Sequence, residues 1–282
     1  MKNYIILLFA FLMVPFIANS QEDETKPEKK KEKLERAAFE SSYIVDNPTN
    51  IVLSKNALEV QMSHRFGTVN GGTNDLAGFW APSNIRIGLA YGIHERLTIG
   101  YGTTKFNRLQ DFNWKLALLR QTRSNSMPIS VSYYGNFTVD ARTKENFTFL
   151  QDRYSYFNQL IIAKRFSPNF SAQIAPSVSH YNVVDNTMRN DMVAISFGGR
   201  YKISPQTSLT VDYSQPITEF MKDNPKPGVS IGVEFSTSAH AFQLFATNYN
   251  GIVSQKNYMF NQNDFFNGDI LIGFNITRIY NF

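Results

Sequence analysis

Four histidines are the first residues to consider for chemistry, because an imidazole can act as a general base or as a metal ligand. They are His64, His94, His180 and His240. No two of them stand four residues apart, the spacing that places two imidazoles on one helix face around a metal ion. The sequence therefore predicts no metal site, and it predicts surface or membrane-interface positions for these side chains.

Two serine–histidine pairs, Ser63-His64 and Ser179-His180, raise the question of a hydrolase that holds a nucleophile beside its base. Both pairs lie in runs with the pattern of a β-strand, in which adjacent side chains point to opposite faces. Neither pair can therefore form a nucleophile–base couple by itself. A hydrolase would have to use residues that are not adjacent, and the sequence identifies no catalytic residue.

Two other motifs could hold a ligand, but neither has the required spacing. Gly100-Tyr101-Gly102 lacks the third glycine and the following helix of a dinucleotide site. A segment rich in side-chain oxygens near the C-terminus lacks the ligand spacing of a calcium loop. Its members are Asn261, Asn263, Asp264, Asn267 and Asp269. The sequence thus predicts no cofactor.

The composition narrows the class of protein. The 282 residues include 28 basic and 23 acidic residues, for a net charge of +5, yet only 18% are charged, against roughly 25% in soluble domains. The basic residues are dispersed along the chain, which argues against a nucleic-acid partner. Because no cysteine is present, disulfides, thiolate metal sites and a lipid anchor on an N-terminal cysteine are excluded.

The first 20 residues predict export. Lys2 precedes the uncharged stretch Tyr4–Ile17, and Ala18-Asn19-Ser20 supplies small residues around a cleavage site, as in a secretory signal peptide. Residues 21–49 are predicted to form a charged periplasmic tail and lead-in, in which Glu22–Arg36 carries six acidic and six basic residues. After residue 20 no apolar run is long enough for a transmembrane helix.

From residue 50 onward, apolar side chains alternate with polar or small ones, which indicates β-strands with two different faces. Ile85 and Ile87, for example, flank Arg86. Twelve such runs follow one another, and short connections alternate with long ones. A secreted β-sandwich also alternates, but the even strand number, the connection lengths and the small residues on the polar faces favour a membrane barrel. We therefore predict an all-β fold over residues 50–282: an antiparallel up-and-down transmembrane β-barrel of about 12 strands, with short periplasmic turns and longer external loops.

Two irregularities accompany this pattern. The connection near Arg120–Pro128 is long where a short turn is expected. The run over residues 153–166 is the least regular, because Phe157 and Ile161 fall on its otherwise polar face.

The chain ends in a strand that resembles the C-terminal signal of outer-membrane barrels. Its apolar and aromatic positions alternate up to the last residue and include Phe274, Ile276, Tyr280 and Phe282. The resemblance implies recognition by the barrel-assembly machinery, which adds such a strand to the edge of its own sheet. We accordingly expect a location in the bacterial outer membrane, in contact with its lipids and with the signal peptide removed.

The first strands carry a second resemblance. The segments are His64-Arg65-Phe66-Gly67, Ser83–Leu89, Tyr91-Gly92-Ile93 and Leu97–Gly100. They resemble the N-terminal half of a family of bacterial envelope β-barrel proteins known only as a domain of unknown function. The likeness extends over about residues 38–282. It implies an outer-membrane location, but it implies no biochemical activity and no catalytic residues.

Several charged side chains are expected to point into the lumen of such a barrel. The expected basic wall consists of Arg65, Arg86 and Lys115. The expected acidic wall, with the basic residues that could pair with it, consists of Asp212, Glu234, Arg200 and Lys202. These charges either fill the lumen with ion pairs or form two opposed surfaces that orient a polar or anionic solute.

Three functions remain open at this point. Twelve strands lie between filled eight-stranded barrels and open sixteen-stranded porins, so a narrow channel for small polar or anionic solutes is the leading hypothesis. The alternative is a closed barrel that acts as a structural or docking partner of another protein in an envelope complex. An outer-membrane lipid hydrolase is the third hypothesis. The solute and the protein partner cannot be named, because a period-two pattern reports neither loop folding nor lumen width.

Overall fold

The structure, a computed structural model, describes residues 32–282. The predicted signal peptide and most of the segment Glu22–Arg36 lie outside the described residues. Twelve β-strands dominate the described chain. They are β1 (Ala57–Thr68), β2 (Asn84–His94), β3 (Leu97–Thr104), β4 (Leu109–Leu119), β5 (Ser130–Asp140), β6 (Tyr154–Arg165), β7 (Phe170–Tyr181), β8 (Asp191–Lys202), β9 (Thr207–Pro216), β10 (Gly228–Ser236), β11 (His240–Thr247) and β12 (Leu271–Asn281).

The twelve strands close into one antiparallel barrel in which each strand pairs with its neighbours in sequence, and β1 pairs with β12. The closing ladder runs from Ala57 opposite Asn281 to Arg65 opposite Gly273, and an irregularity follows before Thr68. Closure leaves no strand edge, so every strand has a partner on each side without help from water. The predicted fold class is confirmed.

The two faces of the wall differ as the alternation predicts. Large apolar side chains such as Ile87, Leu89 and Trp114 are exposed on the outside. Their neighbours Arg86 and Lys115 point inward and are buried. An outer surface of this kind suits hydrocarbon better than water, as in transmembrane barrels. Within the part of the chain that the structure describes, no helix is both long and apolar enough to span a membrane.

The connections divide the barrel into two rims. One, the short-turn rim, carries the connections 95–96, 166–169, 203–206 and 237–239. The other, the long-loop rim, carries 69–83, 141–153, 182–190, 217–227 and 248–270. Each rim has one exception: the connection 105–108 is short at the long-loop rim, and the connection 120–129 is long at the short-turn rim.

The long β4–β5 connection has a structural role. The backbone N–H of Glu35 donates to the carbonyl oxygen of Gln121 over 2.8 Å, and the N–H of Arg123 donates to that of Lys33 over 3.0 Å. Leu34 and Thr122 thereby form an antiparallel bridge. The connection is long because it serves as a short strand partner for the chain that enters the barrel.

Residues 38–53, here called the luminal hairpin, lie inside the barrel. The chain reverses at Val45 and Asp46, where the N–H of Ile44 donates to the carbonyl oxygen of Asn47 over 2.9 Å. Residues 38–49 of the hairpin lie in the range predicted to be a tail and lead-in, and residues 50–53 lie in the range predicted to be barrel. The polar residues of the hairpin show no periodicity, and their partners on the wall are distant in sequence, so a sequence pattern cannot reveal the insertion.

The longest loop, residues 248–270, also folds into the barrel, at the long-loop rim. It carries the only α-helix of the described chain, α1 (Ser254–Phe260). This helix contacts β6, β7, β8 and β9. The remaining helical segments are short 3-10 turns in the loops, at Val69–Asp75, Phe106–Arg108, Lys144–Asn146, Leu150–Arg153 and Phe265–Asn267.

Candidate functional site

The tip of the luminal hairpin makes an ion pair with the barrel wall. Nη2 of Arg65 on β1 lies 2.9 Å from Oδ1 of Asp46, and both side chains are almost completely buried. The other carboxylate oxygen of Asp46 accepts hydrogen bonds from Ser230 over 2.7 Å and from Thr247 over 2.9 Å. Donors from β1, β10 and β11 therefore converge on one carboxylate group.

The neighbouring residue Asn47 holds the other side of the tip. Oδ2 of Asp212 accepts from the backbone N–H groups of Asp46 and Asn47, over 3.0 and 2.9 Å. Its Oδ1 accepts from Nδ2 of Asn47 over 2.8 Å. The sequence suggested that Arg200 or Lys202 could pair with Asp212, but its carboxylate instead accepts from these three donors of the hairpin. The acidic wall therefore anchors the hairpin at this point.

Lys115 and Glu59 bind the arm of the hairpin that precedes its turn. Nζ of Lys115 donates to the carbonyl oxygen of Ser42 over 3.2 Å. The hydroxyl of Ser42 donates to Glu59 over 2.5 Å. The ammonium group of Lys115 also lies 5.9 Å from the ring centres of Tyr43 and Tyr134. One lysine on β4 is thus satisfied by a backbone carbonyl and two aromatic rings of the filled lumen.

Arg200 on β8 pairs with two carboxylates. Its Nε lies 3.0 Å from Glu234 on β10, as the sequence analysis proposed for these two residues. Its Nη2 lies 3.6 Å from Glu40, which precedes the turn of the hairpin. Lys202 lies inward at the end of β8 but forms no ion pair within residues 32–282.

Arg86 is held by the wall alone. Its guanidinium forms two 2.8 Å hydrogen bonds to Asp111 on β4 and one of 3.0 Å to Gln61. A Cβ at Gly102 would lie only 2.3 Å from this guanidinium, so the glycine provides its space. The sequence analysis did not identify Asp111, which stands near the start of β4 and points into the lumen.

The inserted helix α1 packs on an apolar patch of the inner wall. Tyr258 stacks on Phe157 with ring centres 5.6 Å apart. Met259 belongs to the same buried cluster as Phe157, Ile161 and Met192. The irregular alternation of β6 is thereby explained, because Phe157 and Ile161 face α1 instead of a polar lumen.

The hairpin and α1 meet in the middle of the barrel. The hydroxyl of Tyr258 donates to Oδ1 of Asn47 over 2.6 Å and accepts from Ser214 over 3.3 Å. The helix covers the side of β6 to β9, and the hairpin tip covers the side of β9 to β12 and β1. Solvent reaches at most a few per cent of Arg65, Asp212 and Tyr258. The described chain therefore fills the lumen at this level.

The other residues considered from sequence lie apart from this cluster. His64 stacks on Phe274 on the outer wall. The ring nitrogens of His180 contact Asp191 over 2.7 Å and Asn182 over 3.1 Å, both outside the lumen. Among residues 32–282 no group of three or more His, Asp or Glu side chains could hold a metal ion.

The segment rich in side-chain oxygens near the C-terminus forms hydrogen bonds within itself and with the β1–β2 connection. The backbone N–H of Asp264 donates to Asp269 over 2.9 Å, and Nδ2 of Asn70 donates to the same carboxylate over 2.7 Å. Both hydrogen bonds stabilise the charged carboxylate and hold the pKa of Asp269 below its usual range. The bond from the backbone N–H of Asp264 has the larger effect, and the bond from Asn70 has the smaller one. Its carboxylate connects the first and the last loop of the long-loop rim.

The residues of the predicted assembly signal lie on β12 and directly after it. Ile276 and Tyr280 face outward and are partly exposed. The ring of Phe274 stacks on His64 on the outer wall. Phe282 follows the last strand residue and is 82% exposed. The geometry is compatible with a recognition role, which stays a prediction.

The chain is similar to solved structures of a porin, an outer membrane channel and an outer membrane phospholipase. The NanC porin has a TM-score of 0.51 and 7% identity, with 80% of this chain and 99% of the porin covered. An outer membrane channel from Pseudomonas putida F1 has a TM-score of 0.48 and 12% identity, with 82% and 97% covered. Outer membrane phospholipase A from Escherichia coli has a TM-score of 0.42 and 14% identity, with 84% and 97% covered. At 7% identity the likeness to the NanC porin shows the fold alone.

Sequence families give a sharper result. No match was found among curated protein sequences. A family model described as a membrane-bound beta barrel domain (DUF5777) matches residues 39–280. The match includes almost the whole luminal hairpin, and it confirms the resemblance noted in the first strands. The chain therefore belongs to this family of membrane-bound beta barrel domains.

Proposed function

We propose that the protein is a channel of the bacterial outer membrane for small polar or anionic solutes, closed in this structure by the luminal hairpin and by α1. The short-turn rim, where the chain enters the barrel, faces the periplasm in this proposal. The observation that carries it is the polar character of the contact between the hairpin tip and the wall, in particular the contacts of Asp46 and Asn47.

Polar contacts of this kind suit a removable plug. When a hairpin leaves a polar lumen, water replaces its hydrogen bonds, so each neutral bond costs only about 0.5–1.5 kcal/mol net. Withdrawal would expose Arg65, Lys115 and Asp212 to that water, whereas Arg86 would keep its pairing with Asp111. A cavity of about 200 Å³ beside the hairpin stem, between residues 34–37, 50–54 and the β4–β5 connection, leaves room for movement at the short-turn rim.

The second candidate is a permanently closed barrel that serves as a structural or docking partner. The apolar cluster under α1 favours it, because Phe157, Ile161, Met192 and Met259 are fully buried. Burial of apolar surface contributes about 25 cal/mol per Å² and is lost when water enters. In the channel proposal α1 stays in place and the hairpin alone moves, so the two candidates differ in the mobility of the hairpin.

Conductance across a planar lipid bilayer tests the proposal. We expect the purified full-length protein to show rare openings, and the variant Asp46→Ala/Asn47→Ala to be open at least about ten times more often. The reason is that removal of these contacts weakens the closed state by more than about 1.4 kcal/mol, which is a factor of ten in the equilibrium. The matched control is Asp185→Ala/Asn186→Ala, the same pair of residues in the β7–β8 loop, and it should behave like wild type.

If neither wild type nor the tip variant Asp46→Ala/Asn47→Ala conducts at any salt concentration, the channel is excluded and the docking partner remains as the function. Equal openings in the tip variant and in wild type would show that the hairpin is not the gate.

A further inference from the structure

The contacts of Asp46 define a site on the wall that binds a carboxylate group. Its donors are the guanidinium of Arg65 and the hydroxyls of Ser230 and Thr247, at 2.9, 2.7 and 2.9 Å. Each donor comes from a different strand, and each residue is at most 2% exposed. A charge-assisted bond from arginine with two hydroxyl donors is a strong arrangement for a single carboxylate.

The wall positions the guanidinium without the hairpin. The ring of Phe245 lies 4.4 Å below the guanidinium carbon of Arg65, in a cation–π contact. Nη1 of Arg65 donates to Oδ1 of Asn275 and to the carbonyl oxygen of His64, each over 3.0 Å. Arg65 would therefore keep its orientation after the hairpin leaves, so the site is preorganised for an anion.

Asp212 adds a second feature to the site. It accepts three hydrogen bonds from the hairpin tip, two from backbone N–H groups and one from the amide of Asn47. The tip therefore presents a carboxylate to Arg65 and N–H donors to Asp212.

We propose that Arg65, Ser230 and Thr247 bind the carboxylate of a small organic acid in transit, and that Asp46 occupies their place while the barrel is closed. The preferred solute carries one carboxylate together with hydroxyl or amide groups that can donate hydrogen bonds to Asp212. This inference rests on the proposed channel function, and it names the solute class for that channel.

Replacement of the missing carboxylate tests the site without reference to conductance. In Asp46→Ala the side chain that fills the site is removed, and acetate has the size and charge to take its place. We expect acetate to raise the Tm of this purified variant in a saturable manner, by about 2–4 °C. Acetamide, which has the same shape without the charge, should give no rise. Lactate, which adds a hydroxyl donor, should saturate at a lower concentration than acetate.

Three further chains make the result specific. Wild type, in which Asp46 fills the site, and Asp185→Ala, which lacks an exposed loop carboxylate instead, should not respond to acetate. Asp46→Ala/Ser230→Ala/Thr247→Val keeps Arg65 but should lose most of the response. Asp46→Ser is measured in parallel in case Asp46→Ala yields little folded barrel, and the same comparison of acetate with acetamide decides there.

An equal response of wild type and Asp46→Ala to acetate, or no response of either Asp46 variant, would overturn the proposed site. Binding and transport are separable in this design. A specific acetate response in a barrel that never conducts leaves the site standing and removes the channel. Conductance of the tip variant without any acetate response leaves the channel standing and removes the carboxylate site.

Discussion

At the scale of single residues, the charged side chains in the lumen differ in how they are satisfied. Arg86 and Asp111 belong to the wall and pair with each other, whereas the acidic partner of Arg65 is Asp46 of the luminal hairpin. The first pair must survive any movement of the hairpin, and the second cannot. The position of the acidic partner thus separates a structural charge from a functional one.

This difference gives a prediction for stability. Arg86→Met leaves the carboxylate of Asp111 buried without its partner, so we expect a loss of about 3–5 kcal/mol in the free energy of unfolding. The double variant Arg86→Met/Asp111→Leu should recover much of this loss, because no uncompensated charge remains. Urea unfolding of the barrel in detergent measures both values.

The pair of Arg142 and Asp140 serves as the control. Its arginine is 42% exposed, so Arg142→Met should cost no more than about 1 kcal/mol. Similar losses in Arg86→Met and Arg142→Met would contradict the distinction between buried and exposed pairs.

The period of a strand fixes the face of each side chain, and on that basis sequence alone predicted the inward direction of charged residues such as Arg65 and Arg86. It did not predict their partners. Asp111 stands at the edge of its alternating run, and Asp46 stands outside every run. Pairing depends on which strands become neighbours and on what enters the lumen, and neither is encoded in a local pattern.

At the scale of elements, the barrel holds two inserted segments that touch each other. The luminal hairpin enters from the short-turn rim and α1 enters from the long-loop rim. Their direct hydrogen bond joins Tyr258 to Asn47 over 2.6 Å. Movement of the hairpin must break this bond, so the two rims of the barrel are physically coupled through one tyrosine.

The coupling can be measured by thiol labelling, since the native chain has no cysteine. Thr49 on the hairpin is fully buried, so Thr49→Cys should react slowly with a water-soluble maleimide. Adding Tyr258→Phe removes one hydroxyl but keeps the ring on Phe157. We expect labelling to become about two to thirteen times faster, as a loss of about 0.5–1.5 kcal/mol from the closed state implies.

Two controls accompany this measurement. Tyr201→Phe removes a hydroxyl from an exposed tyrosine and should leave the labelling of Thr49→Cys unchanged. Trp80→Cys, at a position that is 72% exposed, should label rapidly in every background. Unchanged labelling of Thr49→Cys in Tyr258→Phe would show that the two inserted segments move independently.

The strands could be predicted from sequence because each one carries its own signal, an alternation over about ten residues. The luminal hairpin has no such signal, and its tip contacts residues up to 230 positions away. The other inserted segment, α1, did leave a clue in the sequence. Phe157 and Ile161 stood on a polar face, and an apolar pair directed into a polar lumen requires an apolar partner there.

At the scale of the whole molecule, closure of the barrel depends on the pairing of β12 with β1. β12 must pair with β1 along its length before the sheet has no edge, and the pairing reaches from Leu271 to Asn281. Phe282 lies just beyond this ladder and is exposed. It therefore adds little to the stability of the closed barrel, and any strong requirement for it must arise before closure.

That argument leads to a prediction that separates assembly from stability. Phe282→Asp, or deletion of Phe282, should sharply reduce the amount of folded barrel in the outer-membrane fraction, measured by the shift in gel migration between unheated and heated samples. Export should continue, so unfolded chain should appear in the periplasmic fraction. The same variant, refolded in detergent, should keep the Tm of wild type, because the side chain contacts little in the closed barrel.

Phe266→Asp is the matched control, since Phe266 is also more than four-fifths exposed but lies in the β11–β12 loop, and it should assemble normally. Normal membrane levels of the Phe282 variants would refute the terminal signal, whereas a lowered Tm of the refolded protein would assign the defect to stability instead of recognition.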